Sequence, residues 1–258
     1  MEVPAVEFPL YMMIRLIGFT VAALLVVLTF HYRGGISLYN GALLFNACPF
    51  SLSSTYDRSI LIGIVIGWLL FTSLGELELH YLTVHPLWSV IGLVLLNGEA
   101  MLVYKTLGRT KNFRKLIHLS LQFLSLCSAL LGLWAVLKVH IDKGSDNFYS
   151  LHSWLGLACL ILFSMQWAAG FATFWYPGGS KSSRESLLPW HVFFGVYTYA
   201  LSIAATVTGI LKRATSLQTK HVISRYSTEA LLLNILGLLI MILGGLLVLA
   251  LVARNYRV

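Results

Sequence analysis

YSLHSWLGLACLILFSMQWAAGFATF, residues 149–174, contains no Asp, Glu, Lys or Arg and has one histidine, His152, near its start. At about 1.5 Å of rise per residue, a helix of this length crosses the roughly 30 Å hydrocarbon core of a bilayer. The segment therefore reads as a membrane span with an imidazole just inside its opening. A histidine in such a helix is costly and rare. Three other apolar stretches open the same way: His85 in VHPLW, His118 in RKLIHLSLQ and His191 in LLPWHVFFG. Four imidazoles at matched depth point to something they hold, and haem is the best candidate.

Working outward, the whole chain fits a membrane. Of its 258 residues, 58% are hydrophobic and 11% charged, well below the roughly 25% charged residues of soluble domains. Apolar runs long enough to cross lie at about 10–31, 116–138, 152–175, 188–211 and 229–252, and a sixth at 85–104 is nearly as long. The expectation is an all-α, polytopic membrane bundle of six helices, spanning 1–258 as one domain. The first run exceeds the length of a signal-peptide core and shows no cleavage site, so it reads as a retained span. A net charge of +8 reflects basic loops at anionic headgroups rather than nucleic-acid binding. Cys48, Cys127 and Cys159 form neither CxxC nor CxxCH, which argues against a zinc ribbon and against covalent haem.

Basic residues set the orientation. Lys105, Arg109, Lys111, Arg114 and Lys115 follow the 85–104 run without an intervening acid. Lys181, Arg184, Arg254 and Arg257 fall on the same side if each run crosses once. The opposite side carries Lys138 and Lys143 against Asp142 and Asp146, but also Lys212, Arg213, Lys220 and Arg225. The positive-inside rule places the first set in the cytosol. Residues 38–80 are less readable. Their uncharged run, Ile60 to Leu74, would reach only about 22 Å as a helix, short for a span. A strained crossing, a re-entrant or interfacial helix and a poorly defined insertion all fit; a non-crossing segment is favoured.

Alternation of direction pairs the histidines. His85 and His152 start helices entering from one face, and His118 and His191 start helices entering from the other. This gives two pairs roughly 20 Å apart along the membrane normal. Two axial imidazoles would fill both open positions of a haem iron, which suits electron transfer rather than oxygen chemistry. Gly156 and Gly195 each follow a histidine by four residues and so lie one turn deeper on the same face. There they would admit a flat macrocycle, or serve helix packing. Near His85 the comparable positions are Ser89 and Gly92, and near His118 the larger Gln122. Interhelical hydrogen bonds and a proton relay are rival readings of the histidines. Glu99, the one acid deep in a later helix, is too little for a relay and is equally read as snorkelling.

The stretches YRGG (32–35), VHPLWSVIGLVLLNGEAMLVYK (84–105), KLIH (115–118), NFYSLHSWLG (147–156), YPGGS (176–180) and LLPWH (187–191) resemble the cytochrome b561 family, ascorbate-dependent transmembrane oxidoreductases, in its plant-type form. The resemblance covers the first helix and about 84–252. It implies four central helices holding two haem b groups, with His85 and His152 as iron ligands on the non-cytosolic side and His118 and His191 on the cytosolic side. It also implies a cytosolic basic pocket for ascorbate, at the positions of Lys111, Lys115 and Arg184, whose cations would steer a monoanion. On the other face it implies that His140 contacts the acceptor, monodehydroascorbate.

This chain departs from the family pattern at two places. Gln122 stands where many members carry a histidine, which bears on the tuning of the cytosolic haem. Residues 38–80 are an insertion on the acceptor face, where the family has a much shorter loop. The expected activity is electron transfer from cytosolic ascorbate to a non-cytosolic acceptor. A ferric-chelate reductase using the same haems is the alternative, and a haem-free helical transporter or scaffold is the alternative of another class. The resemblance further implies a vacuolar, other endomembrane or plasma-membrane location and a homodimer.

Overall fold

A computed structural model describes residues 7–32 and 81–252. The helices are α1 (Glu7–Phe30), α2 (Tyr81–Ser89), α3 (Asn97–Thr106), α4 (Lys111–Asp142), α5 (Leu151–Phe174), α6 (Lys181–Thr219) and α7 (Thr228–Val252). A π-helical turn, Val90–Leu96, joins α2 to α3 with helical dihedrals at Ser89 and Asn97 on either side, so the three form one rod. Six helical rods are long and apolar enough to cross a membrane, and no strand occurs among the described residues. The described residues form an all-helical bundle with six candidate spans. Residues 38–80, most of YRGG, and Arg254 and Arg257 lie outside the described residues.

The expected cores of the spans are right, but two helices run well past them. The 116–138 run belongs to a helix over Lys111–Asp142, and the 188–211 run to one over Lys181–Thr219. Hydropathy marks only the lipid-facing length, whereas the backbone stays helical until a cap ends it. Helices α4, α5 and α6 start at the N-caps Thr110, Ser150 and Ser180, whose side chains accept from Phe113 N, Ser153 N and Ser183 N, and end at the C-caps Lys143, Trp175 and Lys220. After α5 the YPGGS turn places Gly178 at φ +84°, a region that disfavours a side chain.

The α2–π–α3 rod packs on α4, α4 on α5, α5 on α6, and α6 back on the π turn, closing a four-rod ring. Opposite corners of that ring are the α2–π–α3 rod with α5, and α4 with α6. Helices α1 and α7 pack on each other and flank the ring, α7 against α6 and α3. The main apolar core lies in this flank. It includes Ile14, Val21, Val94, Leu102, Tyr199, Leu236, Ile240 and Leu247, all nearly or fully buried. Inside the ring a smaller cluster, Leu93, Ala129, Cys159, Leu160 and Phe163, fills only the middle.

Helix α1 runs antiparallel to the second rod. Arg15 pairs with Glu99 at 3.6 Å, and Gly18, three residues on, faces Leu95, four residues back. Phe30 and Tyr81 therefore stand at one end of the bundle, the end of His85. Glu99 has a specific ion partner here, Arg15. The π turn marks the closest approach of α4: a Cβ on Gly92 would lie 2.8 Å from Ser128 Cβ and 2.9 Å from the Ser125 carbonyl oxygen. Ser125 Oγ donates to the Gly92 carbonyl at 2.6 Å. Of the glycines singled out from sequence, Gly92 therefore serves helix packing.

Candidate functional site

The four histidines meet in two pairs across the ring diagonals. His85 and His152 have ring centroids 6.0 Å apart with planes at 69°, and His118 and His191 are 6.3 Å apart at 71°. Metal–imidazole bonds run about 2 Å, and a ring centroid lies roughly 1 Å behind its nitrogen, so one ion clamped by two imidazoles requires about 6 Å between centroids. Both separations match that requirement.

The ring nitrogens are oriented for it. His85 Nδ1 donates to the Gly132 carbonyl at 2.9 Å, His118 Nδ1 to that of Ala100 at 2.8 Å, and His152 Nδ1 to that of Ala205 at 2.8 Å. A carbonyl accepts only, so each bond fixes the proton on Nδ1 and leaves the Nε2 lone pair free, the usual support of a metal-bound histidine. The first two bonds are reciprocal ties between α4 and the second rod. His191 departs from the pattern, since its Nδ1 is buried without a partner. Its ring is held instead by Phe174, at 5.4 Å between centroids, and by Gly170.

Two unexpected glycines seat the rings. A Cβ on Gly209 would stand 2.7 Å from His152 Cε1, and one on Gly170 would stand 2.9 Å from His191 Cε1. The sequence pattern pointed to Gly156 and Gly195. A Cβ on Gly156 would meet nothing within 4 Å, and one on Gly195 only Gln166 Nε2 at 3.6 Å. The open space beside Gly156 agrees with room for a flat ligand. Nothing in the linear spacing marks Gly170 or Gly209, because each serves a histidine on a neighbouring helix.

Helical rise separates the two levels. On α4, His118 and the Gly132 carbonyl that holds His85 are fourteen residues apart; on α6, His191 and the Ala205 carbonyl that holds His152 are also fourteen apart. That spacing corresponds to about 21 Å. Between the levels lie the packed plug around Phe163 and a polar chain. In that chain Gln122 Nε2 donates to Asn97 Oδ1 at 3.1 Å, and Asn97 Nδ2 to the Leu93 carbonyl at 3.3 Å. Gln122 Oε1 is buried without a partner.

The remaining candidates fall at the two ends. At the His118–His191 end, Lys115 Nζ donates to the Phe174 carbonyl at 2.7 Å, beside the ring that covers His191. A cation there also complements the negative C-terminal pole of α5. Lys111, one turn before Lys115, and Arg184, in the first turn of α6, are exposed at the same end, and no contact joins the three directly. Tyr104, absent from the sequence candidates, lies 5.5 Å from His118 and beneath the Arg114 guanidinium at 5.8 Å. At the opposite end His140 Nδ1 pairs with Asn147 Oδ1 at 2.9 Å, which ties the end of α4 to the loop before α5.

Among the described residues no third His, Cys, Asp or Glu joins either pair. Two imidazoles alone make a poor cage for a bare ion, but they suit the axial positions of an iron whose other ligands come from a planar macrocycle. The residues fit a haem. Fold and site together define a class: a multi-pass membrane protein with two facing imidazole pairs stacked across its thickness.

Comparison with known proteins agrees with that class. The pattern of the family described as eukaryotic cytochrome b561 matches residues 84–217, a stretch that contains all four histidines. The chain is 50% identical over 253 residues, 98% of its length and 95% of the relative's, to transmembrane ascorbate ferrireductase 2 of Arabidopsis thaliana. It is 44% identical over 194 residues, 75% of this chain and 80% of the relative, to probable transmembrane ascorbate ferrireductase 4 of the same plant. A third relative, probable ascorbate-specific transmembrane electron transporter 2 of Oryza sativa subsp. japonica, is 39% identical over 171 residues, 66% of this chain and 72% of its own. The chain belongs to the eukaryotic cytochrome b561 family, whose members carry b-type haem.

Proposed function

We propose that this protein passes electrons across a membrane from cytosolic ascorbate, by way of two haem b groups, to a small acceptor on the other face. One observation carries the reading: two imidazole pairs, each spaced to clamp one iron, lie about 21 Å apart along the bundle. Bound haem supplies a one-electron Fe(III)/Fe(II) couple at each level. His85 with His152, and His118 with His191, would each hold one haem and would leave its iron no site open to oxygen. The carbonyls of Gly132, Ala100 and Ala205 hold three of the four rings in the ligating tautomer.

Lys111, Lys115 and Arg184 gather the ascorbate monoanion at the cytosolic end. Ascorbate gives up one electron and releases one proton to water, leaving monodehydroascorbate. At the other end, near His140, an acceptor gains the electron. Monodehydroascorbate would also take up a proton and return to ascorbate. An Fe(III) chelate would become an Fe(II) chelate, and the names of the two Arabidopsis relatives favour this second acceptor. A vacuolar, other endomembrane or plasma membrane would suit either.

The test is purified protein in ascorbate-loaded liposomes with monodehydroascorbate or ferric citrate outside. The reading requires reduced-minus-oxidised bands for two haems per chain and reduction of an external acceptor. A chain that folds without haem would be the transporter or scaffold of the alternative reading.

A further inference from the structure

At the His85–His152 end, Lys212 has no acid beside it among the described residues. Lys212 stands on α6 three residues past Gly209, the glycine that seats the His152 ring. Its Nζ donates to Ser150 Oγ at 3.2 Å and lies 4.4 Å from the centroid of the Tyr149 ring. A hydroxyl and an aromatic face hold an ammonium in place without neutralising it. The ion pairs among the described residues leave Lys212 without a carboxylate.

The position is close to the redox level. The Lys212 partner Ser150 stands two residues before His152, and the His152 ring rests on Gly209, one turn before Lys212 on α6. His140 is bound to Asn147 in the loop that also carries Tyr149 and Ser150. The loop therefore contacts His140 through Asn147 and Lys212 through Ser150 and the exposed Tyr149. A half-buried, unneutralised ammonium at the mouth of an electron-exit site favours anions over neutral or cationic partners.

We propose that Lys212, steadied by Tyr149 and Ser150, selects a negatively charged electron acceptor at the non-cytosolic face, such as an enediolate radical or a carboxylate chelate of Fe(III). The proposal rests on the electron-transfer reading above. In the step, the acceptor is reduced by one electron that ascorbate supplied on the opposite face. An enediolate radical also takes one proton from water, whereas the chelate changes only from Fe(III) to Fe(II). Lys212 keeps its proton throughout.

The experiment uses the full chain in liposomes with Lys212→Gln, Lys212→Glu and Lys212→Arg, comparing ferric citrate with the cationic acceptor hexaammineruthenium(III). Lys212→Gln should raise the KM for ferric citrate about tenfold. Lys212→Glu should raise it further and lower the KM for the ruthenium cation, and Lys212→Arg should restore the wild-type preference. Haem content, the midpoint potential of the His118–His191 haem and the rate of ascorbate reduction should stay unchanged. Equal effects on both acceptors, or none, would overturn the proposal. So would a lost haem, which would assign the ammonium to the propionate carboxylates of the bound group. If ascorbate fails to reduce the wild type, dithionite inside the liposomes keeps the acceptor comparison measurable, and only the donor assignment falls. A wild type without haem would overturn both.

Discussion

Gly170 and Gly209 each stand where a side chain would strike an imidazole from the neighbouring helix. A Cβ at Gly209 would lie 2.7 Å from the His152 ring and one at Gly170 2.9 Å from the His191 ring. Gly209→Val should therefore displace His152 and lose the non-cytosolic haem, while Gly170→Val should lose the cytosolic one. Each variant should bind one haem per chain by pyridine haemochrome assay and keep its far-ultraviolet helical signal. His85→Ala and His118→Ala should do the same from the other half of each pair, and both should stop transmembrane reduction. Two haems retained in both variants would refute the ligand assignment.

At the scale of the helices, two contacts set register where the intervening chain offers little guidance. The Arg15–Glu99 pair ties α1 to α3, with both side chains partly exposed. Removing one member leaves a charge facing lipid, at a cost of order 1–3 kcal/mol. Arg15→Leu should lower the thermal midpoint in detergent, and Arg15→Leu with Glu99→Leu should recover most of the loss. A double variant no better than the single one would show that the pair is unimportant. The π turn is the second contact. Gly92→Ala would press a methyl against Ser128 and the α4 backbone, which overpacking predicts to cost about 1–3 kcal/mol. The expected signs are a lower midpoint and a weakened tie between His85 and Gly132.

For the whole molecule, the proposed function makes charge distribution the means by which the donor is steered. Lys111, Lys115 and Arg184 gather at one end of the bundle with Arg109 and Arg114 nearby in sequence. Raising ionic strength from about 10 to about 150 mM shortens the screening length from roughly 30 to roughly 8 Å. The second-order rate of reduction by ascorbate should fall several-fold in stopped-flow measurements. A neutral donor should show no such dependence, and an equal fall for both would remove the steering role.

Much of the bundle was legible in the chain, because lipid imposes a length and polarity rule that acts locally on every span. The six spans, the four histidines and their two-by-two pairing all follow from that rule and from alternation of direction. Helix ends were less legible: α4 and α6 continue through polar turns that hydropathy ignores, and their starts lie at the caps Thr110 and Ser180. Gly156 and Gly195 were chosen by spacing along one helix, while the rings rest on Gly170 and Gly209 of adjacent ones. Only packing decided those seats, the carbonyls that orient the rings, the Arg15–Glu99 tie and the placement of Lys212 over Tyr149. Each is a contact between residues on different helices, and such contacts depend on rotation and offset between rods, which no local pattern specifies.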